Sequence, residues 1–227
     1  RNSTMVGIVG AGGIGGTLFS AFWILSANSW MQTPAGYEIV NGKYIVAQWS
    51  AIVFNPSFIP RMIHMILASY ATTCFVIAGV SAFYLLRNLK TDMARICLSF
   101  AMWSALLIVP LQIAVGDVVG LVVHRYQPLK TAAIEAVWDT QRYAPLVLFA
   151  LPSSTEEKNN YAVEIPGVAS LINTHSFQGE IVGLKSVSSA DRPPVAAVFF
   201  TFRIMVGIGL LMLATAIFAV FLRWRQR

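Results

Sequence analysis

Three residues in the apolar part of the sequence could bind or tune a haem. His64 lies one turn inside a long uncharged stretch, and Arg203 and Met205 lie in the outer third of another. Ionisable groups are costly inside a membrane, so they mark candidate functional sites. Antiparallel spans would place His64 and Met205 at similar heights, where they could supply both axial ligands of a haem suited to electron transfer. Arg203 would then offset a haem propionate or favour the reduced iron. The simpler alternatives are an interfacial histidine and a methionine that only packs.

A second candidate pair lies in the segment that begins at Gln127, ten residues after Asp117 closes an apolar stretch. Thr131 to Trp138 follow Pro128 and predict a short helix, because alanine and glutamate favour one. Lys130 and Glu135 are five residues apart, about 140° around a helix, so they are not a simple i,i+4 ion pair. They could approach one ligand from different sides, the carboxylate taking protons from a quinol and the lysine holding its oxygen. A solvated loop helix would account for the same residues without a ligand.

The composition indicates that a membrane positions these residues. Of the 227 residues, 56% are hydrophobic and 11% are charged, and the mean hydropathy is +0.66; soluble domains carry about 25% charged residues. Four stretches, free of charge except for Arg203, are each long enough to cross a hydrocarbon core of about 30 Å as a helix. The predicted spans are 4–27, 62–86, 96–116 and 196–222. The expected fold is therefore all-α, a polytopic membrane helix bundle of about four transmembrane helices with a periplasmic loop domain.

Basic residues predict the orientation of the spans. The link from Arg87 to Arg95 and the tail from Arg223 to Arg227 are basic, which is typical of cytoplasmic segments. The segments 28–61 and 117–195 then face the outer compartment. We divide the chain into helices 1–3 (1–123), an outer loop domain (124–195), and the fourth helix with a cytoplasmic tail (196–227). The net charge of +6 follows mostly from this topology, and no pattern typical of nucleic-acid binding occurs.

Two further patterns are interpreted as structural. The glycines from Gly10 to Gly15 match the literal G-x-G-x-x-G pattern of dinucleotide-binding sites, but Glu38 comes too late to be its acidic partner. Glycines in an uncharged stretch more often allow helices to approach each other closely in lipid. Cys74 and Cys97 fall in predicted spans and are expected to be small buried residues.

Several segments occur in the order found in one known family. The chain resembles subunit I of the cytochrome bd-type quinol:oxygen oxidases, including the cyanide-insensitive branch. The resemblance is carried by residues 23–34, 55–64, 116–117, 127, 130–138 and 202–206.

The resemblance implies specific roles for the candidate residues. His64 and Met205 would ligate a low-spin haem b, with Arg203 beside it. Lys130 and Glu135 would be the quinol-site residues of the periplasmic Q-loop, here 124–195. The implied protein is an oxidoreductase subunit of the bacterial inner membrane. Its implied partners are ubiquinol or menaquinol, subunit II, possible small accessory subunits and the bilayer.

The resemblance also implies that the chain is part of a longer subunit. Family members have about nine spans, and these look like the fourth to seventh. A high-spin haem b and haem d are expected only in the full-length subunit, and the fragment alone is expected to be inactive. A membrane anchor or transporter component without redox chemistry is the alternative. A dihaem cytochrome b is disfavoured, because such proteins generally use histidine pairs and His124 and His175 lie in the outer loop.

Overall fold

The computed structural model describes residues 2–225, with side chains described from residue 15 onward. About 66% of the chain is helical. It divides into two compact units, 1–63 and 64–227, which are described separately. In chain order the elements are α1 (Asn2–Gln32), β1 (Tyr37–Val40), β2 (Lys43–Val46), α2 (Trp49–Val53), α3 (Phe58–Leu86), α4 (Thr91–Tyr126), α5 (Pro128–Glu135), β3 (Gln141–Arg142), β4 (Leu146–Ser153), β5 (Lys158–Ile165), α6 (Val168–Thr174), β6 (Glu180–Ile181) and α7 (Val195–Arg225).

The long helices confirm the prediction of a membrane helix bundle. Within the part of the chain that the structure describes, three helical segments are long and apolar enough to cross a bilayer: Phe58–Leu86, Thr91–Tyr126 and Ser189–Arg225. They contain the predicted spans 62–86, 96–116 and 196–222. The first predicted span, 4–27, lies within α1, but the side chains of residues 2–14 lie outside the described part. The membrane crossing by α1 therefore stays a prediction.

In the first unit, buried hydrogen bonds connect the end of α1 to the segment before α3. The Asn55 amide donates to the carbonyls of Ser26 and Ile52, and the hydroxyls of Thr33 and Ser57 are 2.7 Å apart. These bonds satisfy polar groups that would be costly to bury alone. Residues 10–15 lie inside α1, so the glycine-rich stretch does not form the strand-to-helix turn of a dinucleotide site.

In the second unit, small side chains allow α3, α4 and α7 to pack closely. Their shared core contains Cys74, Ala78, Ala101, Met102, Ala105, Ala216 and Val220. Small residues at helix contacts bring backbones together and strengthen van der Waals packing in lipid. Cys74 is buried, as predicted, and Cys97 is partly buried; both are free thiols.

Helix α4 is longer than the apolar stretch that predicted it. The predicted span 96–116 closes at Gly116 and Asp117, but the helix continues to Tyr126. A charged residue ends an apolar stretch without breaking the backbone hydrogen bonds of a helix, so the position of Asp117 marks polarity and not the helix end.

The predicted helix 131–138 exists, but it is displaced toward the N-terminus. Helix α5 begins at Pro128, because the first turn of a helix does not need the N–H that proline lacks. It ends at Glu135, where Ala136 adopts a left-handed conformation with φ of 53°. Trp138 therefore lies beyond the helix.

Three two-stranded antiparallel sheets, which the sequence analysis did not predict, accompany the helices. The largest pairs β4 with β5, from Leu146 opposite Ile165 to Ser153 opposite Lys158. A buried cluster joins this hairpin to α5 and to the start of α7, through Ala132, Trp138, Val147, Leu184, Val195 and Phe199. The outer loop is therefore a folded layer, packed against the first turns of α7.

Candidate functional site

Glu135 is a buried carboxylate held by two hydrogen-bond donors. The residue is 3% exposed and ends α5. Its Oε2 accepts a hydrogen bond from the Arg203 guanidinium at 2.7 Å, and its Oε1 accepts one from the Asn173 amide at 3.2 Å. Each oxygen has remaining acceptor capacity, because an ionised carboxylate offers about four lone-pair sites. The arrangement therefore fixes the carboxylate and leaves it able to accept a proton.

The Arg203 guanidinium is itself held in place on α7. Its Nε donates to the carbonyl of Val147 at 2.8 Å, and its central carbon lies 5.0 Å from the centre of the Phe199 ring. The ion pair with Glu135 is thus fixed by the hairpin strand β4 and by an aromatic face. Buried charges are tolerated when they are paired and hydrogen-bonded in this way.

Lys130 and Glu135 differ in their surroundings although both belong to α5. Lys130 lies in the first turn and is exposed, whereas Glu135 ends the helix in the protein interior. The Glu135 carboxylate faces Arg203 of α7, whereas Lys130 lies on the exposed side of α5. The two residues therefore lie on different sides of α5, and their shared role at a quinol site stays a prediction.

Helix α6 connects the buried carboxylate to the outer part of α4. Asn173 of α6 also donates to the carbonyl of Ala169 at 2.9 Å, which orients its amide toward Glu135. Directly after α6, His175 Nε2 lies 3.0 Å from the Asp117 carboxylate of α4. The first contact holds α6 beside α5 and the second holds it beside α4, and neither was predicted from the sequence.

His64 packs against α4 at a glycine. A Cβ at position 116 would lie 3.2 Å from His64 Cε1, so the imidazole ring occupies space that any other residue would restrict. The Nε2 atom of His64 is 3.1 Å from the Gln112 amide nitrogen. The Nδ1 atom is buried and has no hydrogen-bond partner among the described residues. One ring nitrogen is therefore left for another ligand.

The imidazole nitrogen of His64 and the thioether sulfur of Met205 are donor atoms of the kinds that fit a haem. Met205 is 53% exposed on α7, so its thioether remains accessible to a group outside the described chain. Imidazole nitrogen and thioether sulfur are established axial ligands of haem iron. Between residues 15 and 225, no group of three or more His, Cys, Asp or Glu side chains could hold a bare metal ion. A haem needs only two protein ligands, because the porphyrin supplies the others.

The comparison with known proteins decides the family. A family model described as cytochrome bd terminal oxidase subunit I matches residues 5–227. The chain belongs to this cytochrome bd family. The resemblance predicted from the sequence is confirmed, and the chain is an integral membrane protein.

Relatives of this cytochrome bd chain are found in several bacteria. It is 34% identical to a cytochrome bd ubiquinol oxidase subunit 1 of Bacillus subtilis, over 93% of this chain and 47% of the relative. It is 34% identical to a cytochrome bd-II ubiquinol oxidase subunit 1 of Escherichia coli, over 78% of this chain and 35% of the relative. The bd oxidase structure from Geobacillus thermodenitrificans matches with a TM-score of 0.81 and 31% identity, over 88% of this chain and 46% of that one. The chain thus spans at most about half the length of these relatives.

The structure joins some of the predicted site residues of this cytochrome bd chain and leaves others apart. Arg203 and Glu135 form a direct ion pair, although Arg203 was predicted to lie beside a haem and Glu135 to bind quinol. No hydrogen bond among the described residues joins His64 to Met205. Gln112 was missed, but its signal was available: it is a polar side chain inside an apolar stretch, one turn before Gly116.

Proposed function

We propose that the chain provides the quinol-oxidising side of a membrane-bound quinol:oxygen oxidoreductase. The buried Glu135 carboxylate carries this proposal, because it sits on the loop helix and is paired with an arginine only two residues from Met205. The proposed proton acceptor, Glu135, is thereby paired with a residue of the same helix as Met205, which is a proposed ligand of the electron-accepting haem. The names of the relatives, which are ubiquinol oxidases, support the same reaction class.

Oxidation of one quinol to a quinone releases two protons and two electrons. Glu135 accepts a proton from a quinol hydroxyl, and its hydrogen bond from Arg203 fixes the position of the accepting carboxylate. Lys130 contributes an ammonium group that holds a quinol oxygen. The protons leave to the periplasm, the side assigned to the loop by the basic cytoplasmic segments.

His64 and Met205 would hold a low-spin haem b from α3 and α7. Held by these two residues, such a haem would supply electron transfer and not oxygen chemistry. Gly116 gives the His64 ring its space, and Gln112 restrains the orientation of that ring. Arg203 places a positive charge two residues from Met205.

The proposal extends to the assembly and its location. The chain would act in the bacterial inner membrane with subunit II and possible small accessory subunits, and with ubiquinol or menaquinol as substrate. Reduction of oxygen, at a high-spin haem b and haem d, stays an expectation for the full-length subunit. The domain limits 124–195 for the Q-loop belong to the same proposal.

Replacement of Glu135 by glutamine in the assembled oxidase tests the proposal. Glutamine keeps the size of the side chain but cannot accept the quinol proton, so quinol oxidation should fall by a factor on the order of 10² or more. The absorption spectrum of the low-spin haem should persist. Glu164→Gln is a matched control, because Glu164 is an exposed carboxylate on β5 of the same loop.

Two outcomes would contradict the proposal. Unaltered turnover in Glu135→Gln would remove the assigned proton acceptor. The absence of both quinol oxidation and haem from the unaltered protein would support a membrane anchor or transporter component without redox chemistry.

A further inference from the structure

An open groove of about 430 Å³ lies between α4 and α7, at the end of these helices opposite the loop layer. Helix α4 begins here and α7 ends here. Five residues of α4 and one residue of α7 line the groove: Arg95, Ile96, Ser99, Phe100, Trp103 and Arg223.

Two arginines line this groove, and neither is paired with a carboxylate among the described residues. The Arg223 guanidinium donates a hydrogen bond to the backbone carbonyl of Arg95 at 3.4 Å, so that the two arginines are neighbours. An anion bound in the groove could accept charge-assisted hydrogen bonds from both side chains.

The floor of the groove is apolar and follows one face of α4. Ile96, Phe100 and Trp103 recur at helical spacing and lie on the same side of the helix. All three are at least half exposed, and Trp103 is 50% exposed. The groove therefore presents cations at one end and an apolar track leading from them.

The charges around the groove identify the membrane surface on which it opens. Arg87 and Lys90 precede α4, and Arg225 is the last described residue of α7. This excess of cations is what the positive-inside rule assigns to the cytoplasmic side. The cytoplasmic leaflet carries anionic lipids, and basic pockets between membrane helices on this side bind their headgroups.

We propose that this groove is a binding site for an anionic phospholipid. The phosphate diester lies between the guanidinium groups of Arg95 and Arg223, and one acyl chain follows Ile96, Phe100 and Trp103. An inorganic anion would satisfy the arginines but would leave the apolar track exposed. A phospholipid satisfies both. The site is independent of the proposed quinol chemistry, because the two lie at opposite ends of α4.

The test measures lipid binding to the intact purified oxidase by native mass spectrometry. The enzyme is equilibrated in nanodiscs that contain phosphatidylglycerol and phosphatidylcholine in equal amounts. We expect selective retention of phosphatidylglycerol, and a loss of its affinity of about 30-fold in the double variant Arg95→Gln/Arg223→Gln, the effect of two cations near an anionic surface. The control is Arg87→Gln/Arg225→Gln, which removes the same charge from arginines that stack on Phe83 and Phe221 and do not line the groove. The affinity of this control variant for phosphatidylglycerol should stay close to that of the unaltered enzyme.

A second variant separates the site from general charge effects. Ser99→Trp fills the groove and keeps both arginines, so it should also release phosphatidylglycerol; this variant remains informative if the double variant fails to assemble. Equal retention of the two lipids, equal losses in both double variants, or unchanged binding in Ser99→Trp would each overturn the proposal. If a protein segment covered the groove instead of a lipid, Ser99→Trp would leave phosphatidylglycerol binding unchanged.

Discussion

The ion pair between Glu135 and Arg203 should be a main determinant of how firmly α5 is held. Arg203→Met would leave a carboxylate that is 3% exposed without its cation. Removal of one partner from a buried pair costs about 3–5 kcal/mol, because the other charge remains buried. The hydrogen bond to the Val147 carbonyl would be lost as well. At about 1.4 kcal/mol for each factor of ten, the lower limit corresponds to a local opening equilibrium raised about 100-fold.

Amide hydrogen exchange measures this opening directly. Peptides that cover α5 should exchange about 100-fold faster in Arg203→Met than in the unaltered oxidase, because exchange reports the free energy of local opening. Arg142→Met is the matched control: its pair with Glu180 spans 3.5 Å between side chains that are 71% and 52% exposed. Exposed pairs contribute about 0–1 kcal/mol, so exchange should rise less than about sixfold.

A double variant distinguishes the effect of the unpaired Glu135 charge from the effect of lost side-chain packing. Glu135→Leu/Arg203→Met replaces both charges by apolar side chains of similar size, which is often neutral for a buried pair. Its α5 exchange should return to within about tenfold of the unaltered protein. If exchange in Arg203→Met were no faster than in Arg142→Met, the buried pair would not hold α5 and the reasoning would be wrong.

Three further predictions concern the groups around the two candidate sites. His64→Ala should abolish the spectrum of a haem with two axial protein ligands, and an unchanged spectrum in folded protein would refute the ligand assignment. Gly116→Val should alter the same spectrum by pressing on the His64 ring, whereas Gly120→Val should not, because nothing lies within 4 Å of a Cβ there; equal spectra would contradict the packing argument. Asn173→Ala should lower kcat of quinol oxidation about tenfold with little change in KM, since a hydrogen bond to a charged group contributes about 1.5–3 kcal/mol. Ser170→Ala, which removes hydrogen bonds to Ala144 and Gly179 that hold α6, should spare kcat, and an equal effect of both variants would indicate a structural role only.

The membrane helices could be predicted because one physical requirement dominates them. A stretch that crosses lipid must be long and almost free of charge, and both properties can be read from a single sequence. The end of α4 could not be read in this way. Its last ten residues keep their helical hydrogen bonds beyond Asp117, and Gly120 among them does not end the helix, which stops only before Gln127 and Pro128.

The hairpin of the loop shows a signal that was available and not used. The β4 segment, 146–153, is a short apolar run of strand length, a pattern that also occurs in buried helices. The segment from Ser153 onward is largely polar and carries no motif of its own. Its strand β5 is stabilised by pairing with β4, a contact that neither segment shows alone.

The contacts of the candidate site depend on distances that spacing does not contain. Glu135 and Arg203 are 68 residues apart, and Asn173 approaches them from a third element. Residue type identified Glu135 and Arg203 as candidates, but only the folded loop shows that they share one hydrogen-bonded pair. His64 and Met205 are predicted partners through a haem, and this prediction rests on residue type and depth.

The length of α4 has a consequence for the choice of membrane in any such experiment. Its 36 residues extend about 54 Å, whereas a hydrocarbon core is about 30 Å thick. Part of the excess, the ten residues 117–126, extends about 15 Å beyond the predicted span, and Asp117 in this part contacts His175 beside α6. In a thicker bilayer the hydrocarbon core would extend further along this end of α4 and come closer to the charged side chain of Asp117. Bilayer thickness is thus a variable that acts on the outer loop through hydrophobic mismatch, even though no lipid needs to touch Glu135.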